Sequence, residues 1–127
     1  MVSENFRKTL NLWLPVLVWA SVIFYFSSQP QKHVSEFFLA DFLVKKAAHV
    51  GEFAILFVLI YRATGKKIPL SFLLTILYAA SDEFHQTFVP GRTPKLYDII
   101  GFDITGANIA SYALWKLSQR AKTKQKN

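Results

Sequence analysis

The chain has 127 residues, of which 52% are hydrophobic and 16% aromatic, and it contains no cysteine. This length suits a single domain, and the lack of cysteine excludes disulfides, thiolate nucleophiles and cysteine metal sites. The net charge of +7 would suit nucleic acid or anionic lipid as a partner, and the placement of the charges decides between the two.

The first predicted element is an apolar helix over residues 10–27. Residues 9–31 carry no charged side chain, and at a rise of about 1.5 Å per residue the apolar part spans roughly the hydrocarbon core of a bilayer. Pro15 falls in the first turns, where a proline costs least. A cleaved signal peptide is the alternative, but no small-residue cleavage site follows. We therefore expect an uncleaved membrane-spanning helix.

Three further helices are predicted, over about residues 44–63, 68–88 and 96–117. Residues 30–43 place apolar side chains at near-helical spacing, which is typical of a short helix that lies at a membrane surface. Gly65 suits the end of the second helix, and Pro69 suits the start of the third. Residues 118–127 form a basic tail. We predict that residues 1–127 form one all-α domain.

Only the first helix passes a strict hydropathy test, so a soluble four-helix bundle competes with a membrane bundle. Ten of the fifteen basic residues lie in the head, in the connection between the second and third helices and in the tail: Arg7, Lys8, Arg62, Lys66, Lys67, Lys116, Arg120, Lys122, Lys124 and Lys126. If the helices alternate in direction, all ten lie on one side of the membrane. This positive-inside pattern places both termini in the cytoplasm.

The charge pattern therefore predicts an integral membrane four-helix bundle, with several passes through the cell membrane and the lipid bilayer as its first partner. No folded basic face with interleaved aromatic side chains is visible, so we expect no nucleic-acid partner.

Alternating helices bring the unusual polar residues to the outer side. They are Lys46, His49 and Glu52 in the second helix, Asp82, Glu83, His85 and Gln86 in the third, Arg92 in the loop, and Asp98 and Asp103 in the fourth. Ionisable groups at membrane depth are costly, which makes them candidates for a functional site. We expect an outward-facing polar pocket.

Several chemistries suit this set of side chains. Carboxylates and histidines allow general acid and base catalysis, and the candidates are Glu83, His85, Asp82, His49 and Glu52. Basic side chains bind anionic groups such as phosphate, and the predicted substrate-binding set is Lys46, Gln86, Arg92, Asp98 and Asp103. The allowed ligands for a divalent metal are His49, Glu52, Asp82, His85 and Asp103. No metal-binding signature is present, so a metal is not favoured.

Two other functions stay open. One is a small ion-coupled transporter subunit, and the other is a non-catalytic scaffold whose polar residues form a structural network. A transporter of this size has few helices for alternating access, so it would need a dimer. Gly106 and Ala110 form a small-residue pair that allows close helix approach, and we predict a homodimer contact there. The sequence does not establish that any reaction is catalysed.

Four stretches of the chain resemble the VanZ-like family. They are Ser27-Ser28-Gln29-Pro30, then Lys46-x-x-His49-x-x-Glu52-Phe53, then Ser81-Asp82-Glu83-Phe84-His85-Gln86 with Val89-Pro90-Gly91-Arg92, and lastly Asp98 with Asp103-x-x-Gly106. The third stretch is the most specific, and the resemblance covers about residues 27–110. The chain departs from the family pattern at Phe53, Asp103 and Ala110, where Tyr, Asn and Gly are frequent.

The resemblance implies a small bacterial or archaeal integral membrane protein. The family is named for a member that lowers susceptibility to the glycopeptide antibiotic teicoplanin. Together with the polar residues, the resemblance suggests that this chain binds or acts on an anionic component of the cell envelope, such as a lipid-linked precursor.

Overall fold

The computed structural model describes residues 3–30, 38–92 and 99–125, and the statements below refer to those ranges. Within them the chain forms four α-helices and no strands: α1 Glu4–Ser27, α2 Phe38–Ala63, α3 Ile68–Gln86 and α4 Ile104–Lys124. A π-helical turn, Ile99–Asp103, leads directly into α4. The predicted all-α class is confirmed.

Helix α2 begins earlier than the sequence pattern predicts, at Phe38 and not near Val44. Residues 38–43 therefore continue α2, so this part of the predicted interfacial helix is not a separate element. The physical reason is that neither Gly nor Pro occurs between Phe38 and Val50, so nothing interrupts the helix there. Residues 31–37, the rest of the predicted interfacial helix, lie outside the described ranges.

Four other helix ends also differ from the prediction, namely the start of α1, the end of α3 and both ends of α4. Helix α1 begins at Glu4, where the side chain of Ser3 accepts a hydrogen bond from the Phe6 amide at 3.3 Å, an ordinary N-cap. Helix α3 ends at Gln86 and not at Phe88. Helix α4 begins only after the π-helical turn and continues to Lys124, because its basic segment consists largely of residues with high helix propensity.

Helix α2 lies at the centre of the bundle, in contact with α1, α3 and α4. Its buried side chains contribute to two apolar clusters. The first contains Val16, Ile23, Phe53, Leu56, Ile60 and Ala79, and the second contains Phe57, Ala107 and Ala110. The other three helices thus pack around α2, which positions the polar residues of its first half against its neighbours.

The contact between α2 and α4 depends on Gly106. A Cβ atom at this position would overlap the carbonyl oxygen of Val50 and lie 2.9 Å from the amide nitrogen of Ala54. Ala110 is also buried in this contact. The small pair that was predicted to contact a second copy packs against α2 of its own chain, and the homodimer stays a prediction.

The outer surface of the bundle is apolar. Large hydrophobic side chains are exposed on all four helices, for example Leu17, Val44, Leu73 and Ile109. By length and composition, α1 is the one described helix that is apolar enough to cross a membrane, and only 11% of its apolar window is buried. A soluble helical bundle normally turns this face towards its core.

Candidate functional site

Polar side chains gather where α1 and α3 end and the π-helical turn begins. We call this set the polar cluster; its members are Ser27, His49, Glu52, Asp82, Glu83, Gln86, Arg92 and Asp103. Five of them are buried, namely Ser27, Asp82, Glu83, Gln86 and Asp103. Charged groups are rarely buried unless they are paired or bind a ligand.

Helix α3 delivers its polar residues through a small buried stripe. Ser71, Thr75, Ala79, Asp82 and Gln86 recur at intervals of three and four, and all five are buried. The hydroxyl groups of Ser71 and Thr75 donate to backbone carbonyls one turn earlier, those of Lys67 and Ser71. At the other end of the stripe, Asp82 and Gln86 contact the side chain of Ser27 on α1.

Asp82 is held by two donors. The hydroxyl of Ser27, at the end of α1, donates to Asp82 Oδ2 at 2.7 Å, and the side-chain amide of Gln86 donates to the same oxygen at 2.9 Å. The other oxygen, Oδ1, is buried and has no hydrogen-bond partner among the described residues. The carboxylate is therefore oriented by one oxygen while the second remains an unused acceptor.

Arg92 joins the loop after α3 to the end of α1. Its Nη2 donates to the carbonyl of Phe26 at 2.8 Å, and its Nε donates to the carbonyl of Gln29 at 3.2 Å. A third bond, from Nη1 to Gln86 Oε1 at 3.2 Å, orients the amide that donates to Asp82. A guanidinium has five N–H donors, so Arg92, predicted to bind substrate, has only part of its capacity left for a ligand.

Burial lowers the pKa of the Arg92 guanidinium, while the nearby carboxylates of Asp82, Glu83 and Glu52 act against that fall. Arginine is so strong a base that it stays charged in proteins. The polar cluster therefore contains one fixed positive charge.

His49 pairs with Asp103, with 3.4 Å between Nδ1 and Oδ1. The π-helical turn ends at Asp103 and sets this carboxylate against α2. The imidazole also lies parallel to the ring of Phe53, at 6.3 Å between the ring centres. His49, which was predicted as a catalytic residue, thus has a carboxylate partner that would stabilise its protonated form.

Glu52 is half-buried on α2, and its carboxylate makes no hydrogen bond or ion pair within the described ranges. It interacts electrostatically with His49, Asp82, Asp103 and Arg92. Glu52 therefore lies within electrostatic range of side chains from α2, α3, the loop and the π-helical turn.

Lys46 lies at the edge of the polar cluster, one turn before His49. Its Nζ is 4.5 Å from the ring centre of Phe102 and 5.6 Å from that of Phe42, which are favourable distances for a cation on an aromatic face. Lys46 is half-buried, and its ammonium group lies beside the π-helical turn, which contains Phe102.

His85 lies against α1. Its Nε2 is 3.0 Å from the hydroxyl of Ser28, and its ring is 4.2 Å from that of Phe24 between centres. These partners differ from those of His49, so the two histidines do not share a site.

The structure thus brings together most of the predicted site residues. His49, Glu52, Asp82, Gln86, Arg92 and Asp103 interact directly or electrostatically. Glu83 is buried beside them, whereas Asp98 falls outside the described residues. Within those ranges, no group of three or more His, Asp or Glu side chains is arranged to hold a metal ion, so the five candidate metal ligands do not form such a group.

Sequence reasoning assigned no role to Ser27 and Ser28. Their hydroxyl groups contact Asp82 and His85, respectively. The signal that could have found them is their position, because paired hydroxyl residues end an otherwise apolar helix on the side where the charged residues gather.

A family model described as VanZ/LLP1 matches residues 12–119, which include every member of the polar cluster. Comparison with curated proteins and with solved structures gives no match.

Proposed function

The chain belongs to the VanZ-like family, and from this premise we propose that its polar cluster binds an anionic component of the cell envelope, such as a lipid-linked precursor. At the level of the family, membership relates the chain to teicoplanin resistance. The proposal includes a bundle that crosses the membrane four times, with both termini in the cytoplasm.

The apolar outer surface supports the membrane part of the proposal. Exposed large hydrophobic side chains occur on every described helix, and the basic residues concentrate at the opposite end from the polar cluster. In a bilayer the apolar faces contact lipid, and the basic end lies on the cytoplasmic side. The polar cluster then lies in the outer half of the membrane.

One observation carries the binding function. Ionisable side chains from α2, α3, the loop and the π-helical turn interact at one end of a bundle whose sides are apolar. Such groups are costly at membrane depth and mark a functional site by default. A ligand with a lipid chain and an anionic headgroup would contact the apolar sides of the bundle through its chain and the polar cluster through its headgroup.

The proposed roles follow from chemistry and position. Lys46 and the remaining donors of Arg92 would bind a phosphate, with Gln86, Asp98 and Asp103 beside it. If the protein catalyses a reaction, the general acid and base groups would be His49, Glu52, Asp82, Glu83 and His85. Because Gln86 and Arg92 are already engaged with α1, the α2 side chains are the better candidates for direct ligand contact.

A scaffold without catalysis is the second candidate. The chain of hydrogen bonds through Ser27, Asp82, Gln86 and Arg92 ties α1 to α3, as a purely structural network would. On this alternative, the variant Glu52→Gln keeps the function of the protein as long as the bundle folds, since Glu52 takes no part in those bonds.

The binding function is tested with purified protein in lipid nanodiscs. We expect a long-chain polyprenyl phosphate to bind at least about tenfold more tightly than the matching polyprenol, a difference of about 1.4 kcal/mol. Equal binding of the two lipids would contradict the proposal, because the phosphate would then contribute nothing.

A cellular measurement complements the binding assay. Expression in a teicoplanin-susceptible bacterium should raise the inhibitory concentration of the drug, and Glu52→Gln should remove that effect. The matched control is Glu4→Gln, since Glu4 is solvent-exposed at the other end of the bundle. Equal protection by both variants, at equal membrane abundance, would favour the scaffold.

A further inference from the structure

Two acidic side chains of the polar cluster keep acceptors that nothing in the described chain uses. Asp82 is 4% exposed, and its Oδ1 has no hydrogen-bond partner among the described residues. Glu52, on the neighbouring helix, forms no side-chain hydrogen bond or ion pair within the same ranges. Their helices pack together at this level, because the ring of Phe53, next to Glu52, lies 6.2 Å between centres from that of Tyr78, one turn before Asp82. The two carboxylates lie within electrostatic range of each other.

This arrangement is unfavourable without a further group. An unsatisfied buried acceptor costs about 1–3 kcal/mol, and more when it is charged. Two neighbouring carboxylates also repel each other. The hydrogen bonds from Ser27 and Gln86 go to Asp82 Oδ2 and therefore fix Oδ1 in place without satisfying it. A cation between Asp82 and Glu52 would relieve both penalties.

The described residues do not form a complete metal site by themselves, because they contain no suitable group of three or more ligands. Mg²⁺ does not need such a group. It commonly binds through one or two carboxylates, with its other positions filled by water and by the phosphate oxygens of a ligand. A phosphate-bearing ligand would therefore supply coordination positions of the ion that the two carboxylates leave open.

We propose that the polar cluster binds its phosphate ligand together with a magnesium ion, which Asp82 Oδ1 and the Glu52 carboxylate hold. This inference rests on the proposed function and specifies the form in which the ligand binds. The ion bridges the carboxylates and the phosphate, which would otherwise repel each other. Lys46, half-buried one turn from His49, neutralises part of the remaining phosphate charge.

Arg92 acts in this site as a positioning residue. Its bond to Gln86 Oε1 turns the amide NH₂ group towards Asp82 Oδ2. With Oδ2 occupied, Oδ1 is the oxygen that remains for the ion. The network between α1 and α3 thus has a use beyond holding two helices together.

The test measures polyprenyl phosphate binding to the wild-type protein in nanodiscs, with millimolar Mg²⁺ or with EDTA at equal ionic strength. We expect affinity on the order of ten- to a hundredfold higher with Mg²⁺, within the usual range of coupling between two ligands. By reciprocity, the lipid should raise the affinity for Mg²⁺ by the same factor. Inorganic phosphate in place of the lipid separates a lipid headgroup from free phosphate as the source of the anion.

Two variants localise the effect. Glu52→Gln should abolish the Mg²⁺ dependence while the protein still folds, because the native carboxylate makes no bond that the amide would lose. Asp82→Asn provides a second, independent change at the proposed ion. Glu4→Gln, the control, should keep the full dependence.

Each outcome has a definite meaning. Equal lipid binding in Mg²⁺ and EDTA overturns the magnesium proposal and leaves the proposed function standing. Lipid binding in neither condition overturns both. Binding of inorganic phosphate with the same Mg²⁺ dependence supports the ion and assigns the anion to a free phosphate. A Mg²⁺ dependence that persists in Glu52→Gln and in Asp82→Asn overturns the assigned ligands.

Discussion

Arg92 serves as a cap for helix α1 although it lies more than sixty residues away in the chain. The last carbonyls of a helix have no partners within the helix, and Arg92 donates to that of Phe26. It also donates to the carbonyl of Gln29, just beyond the C-cap of α1. A planar guanidinium can reach several acceptors at once, whereas an ammonium group acts as a single point. The three bonds of Arg92 therefore depend on its shape as well as on its charge.

This geometry leads to a prediction for Arg92→Lys. The variant keeps the charge but cannot reach three acceptors, so we expect a loss of about 2 kcal/mol in the free energy of unfolding, within the range for hydrogen bonds to charged groups. Thermal unfolding in detergent measures it. Arg120→Lys is the control, since Arg120 is exposed on α4. Equal melting temperatures for both variants would show that the cap contributes nothing.

At the scale of elements, the crossing of α2 and α4 is a backbone contact. The place of a Cβ on Gly106 is taken by the Val50 carbonyl, which belongs to the helix itself and cannot rotate away as a side chain can. An added methyl group would therefore push the two helices apart. The separation would also disturb the pair of His49 and Asp103, because His49 lies on α2 and Asp103 directly precedes α4.

Gly106→Ala should accordingly destabilise the bundle by about 1–3 kcal/mol, the usual cost of overpacking. Gly51→Ala is the matched control, because nothing lies within 4 Å of a Cβ at that position. Because alanine has a higher helix propensity than glycine, Gly51→Ala should raise the free energy of unfolding by about 0.5–1 kcal/mol. Equilibrium unfolding measures the stability of both variants. A Gly106→Ala protein as stable as Gly51→Ala would contradict the observed crossing of α2 and α4.

At the scale of the whole molecule, apolar side chains cover the sides of the bundle and charges occupy its ends. This distribution is the reverse of that in a soluble bundle, where the largest apolar faces are buried. In a membrane the same distribution fixes the orientation, because the end rich in Lys and Arg stays in the cytoplasm. On the proposed topology, the polar cluster lies in the outer half of the bilayer.

Orientation can be measured directly because the chain contains no cysteine. Thr87 and Thr123 are both exposed, one beyond α3 and one near the end of α4. In intact cells, a membrane-impermeant maleimide should label Thr87→Cys, whereas Thr123→Cys should react only after permeabilisation. The reverse result would invert the proposed topology, and labelling of both variants in intact cells would exclude it.

Local sequence patterns were enough to predict the all-α class and most members of the polar cluster. Apolar residues at helical spacing, interrupted by Gly65 and Pro69, predict α2 and α3 because helix formation is a local property. Local spacing also put Asp82 and Gln86 on one face, and their bond confirms it. The helix ends were predicted less accurately, for example that of α4, which good helix formers extend to Lys124.

Which side chains meet depends on how the helices pack, and this is visible in the tertiary structure and not in the sequence. Sequence reasoning predicted that Arg92 binds substrate and that Gly106 contacts a second copy, and both stay predictions. The structure adds that Arg92 donates to a carbonyl at the end of α1 and that Gly106 packs against α2. The role of Ser27 and the π-helical turn before Asp103 were not foreseen. The reason is physical, since these partners are far apart along the chain. Their contacts follow from how the helices pack and not from any local pattern.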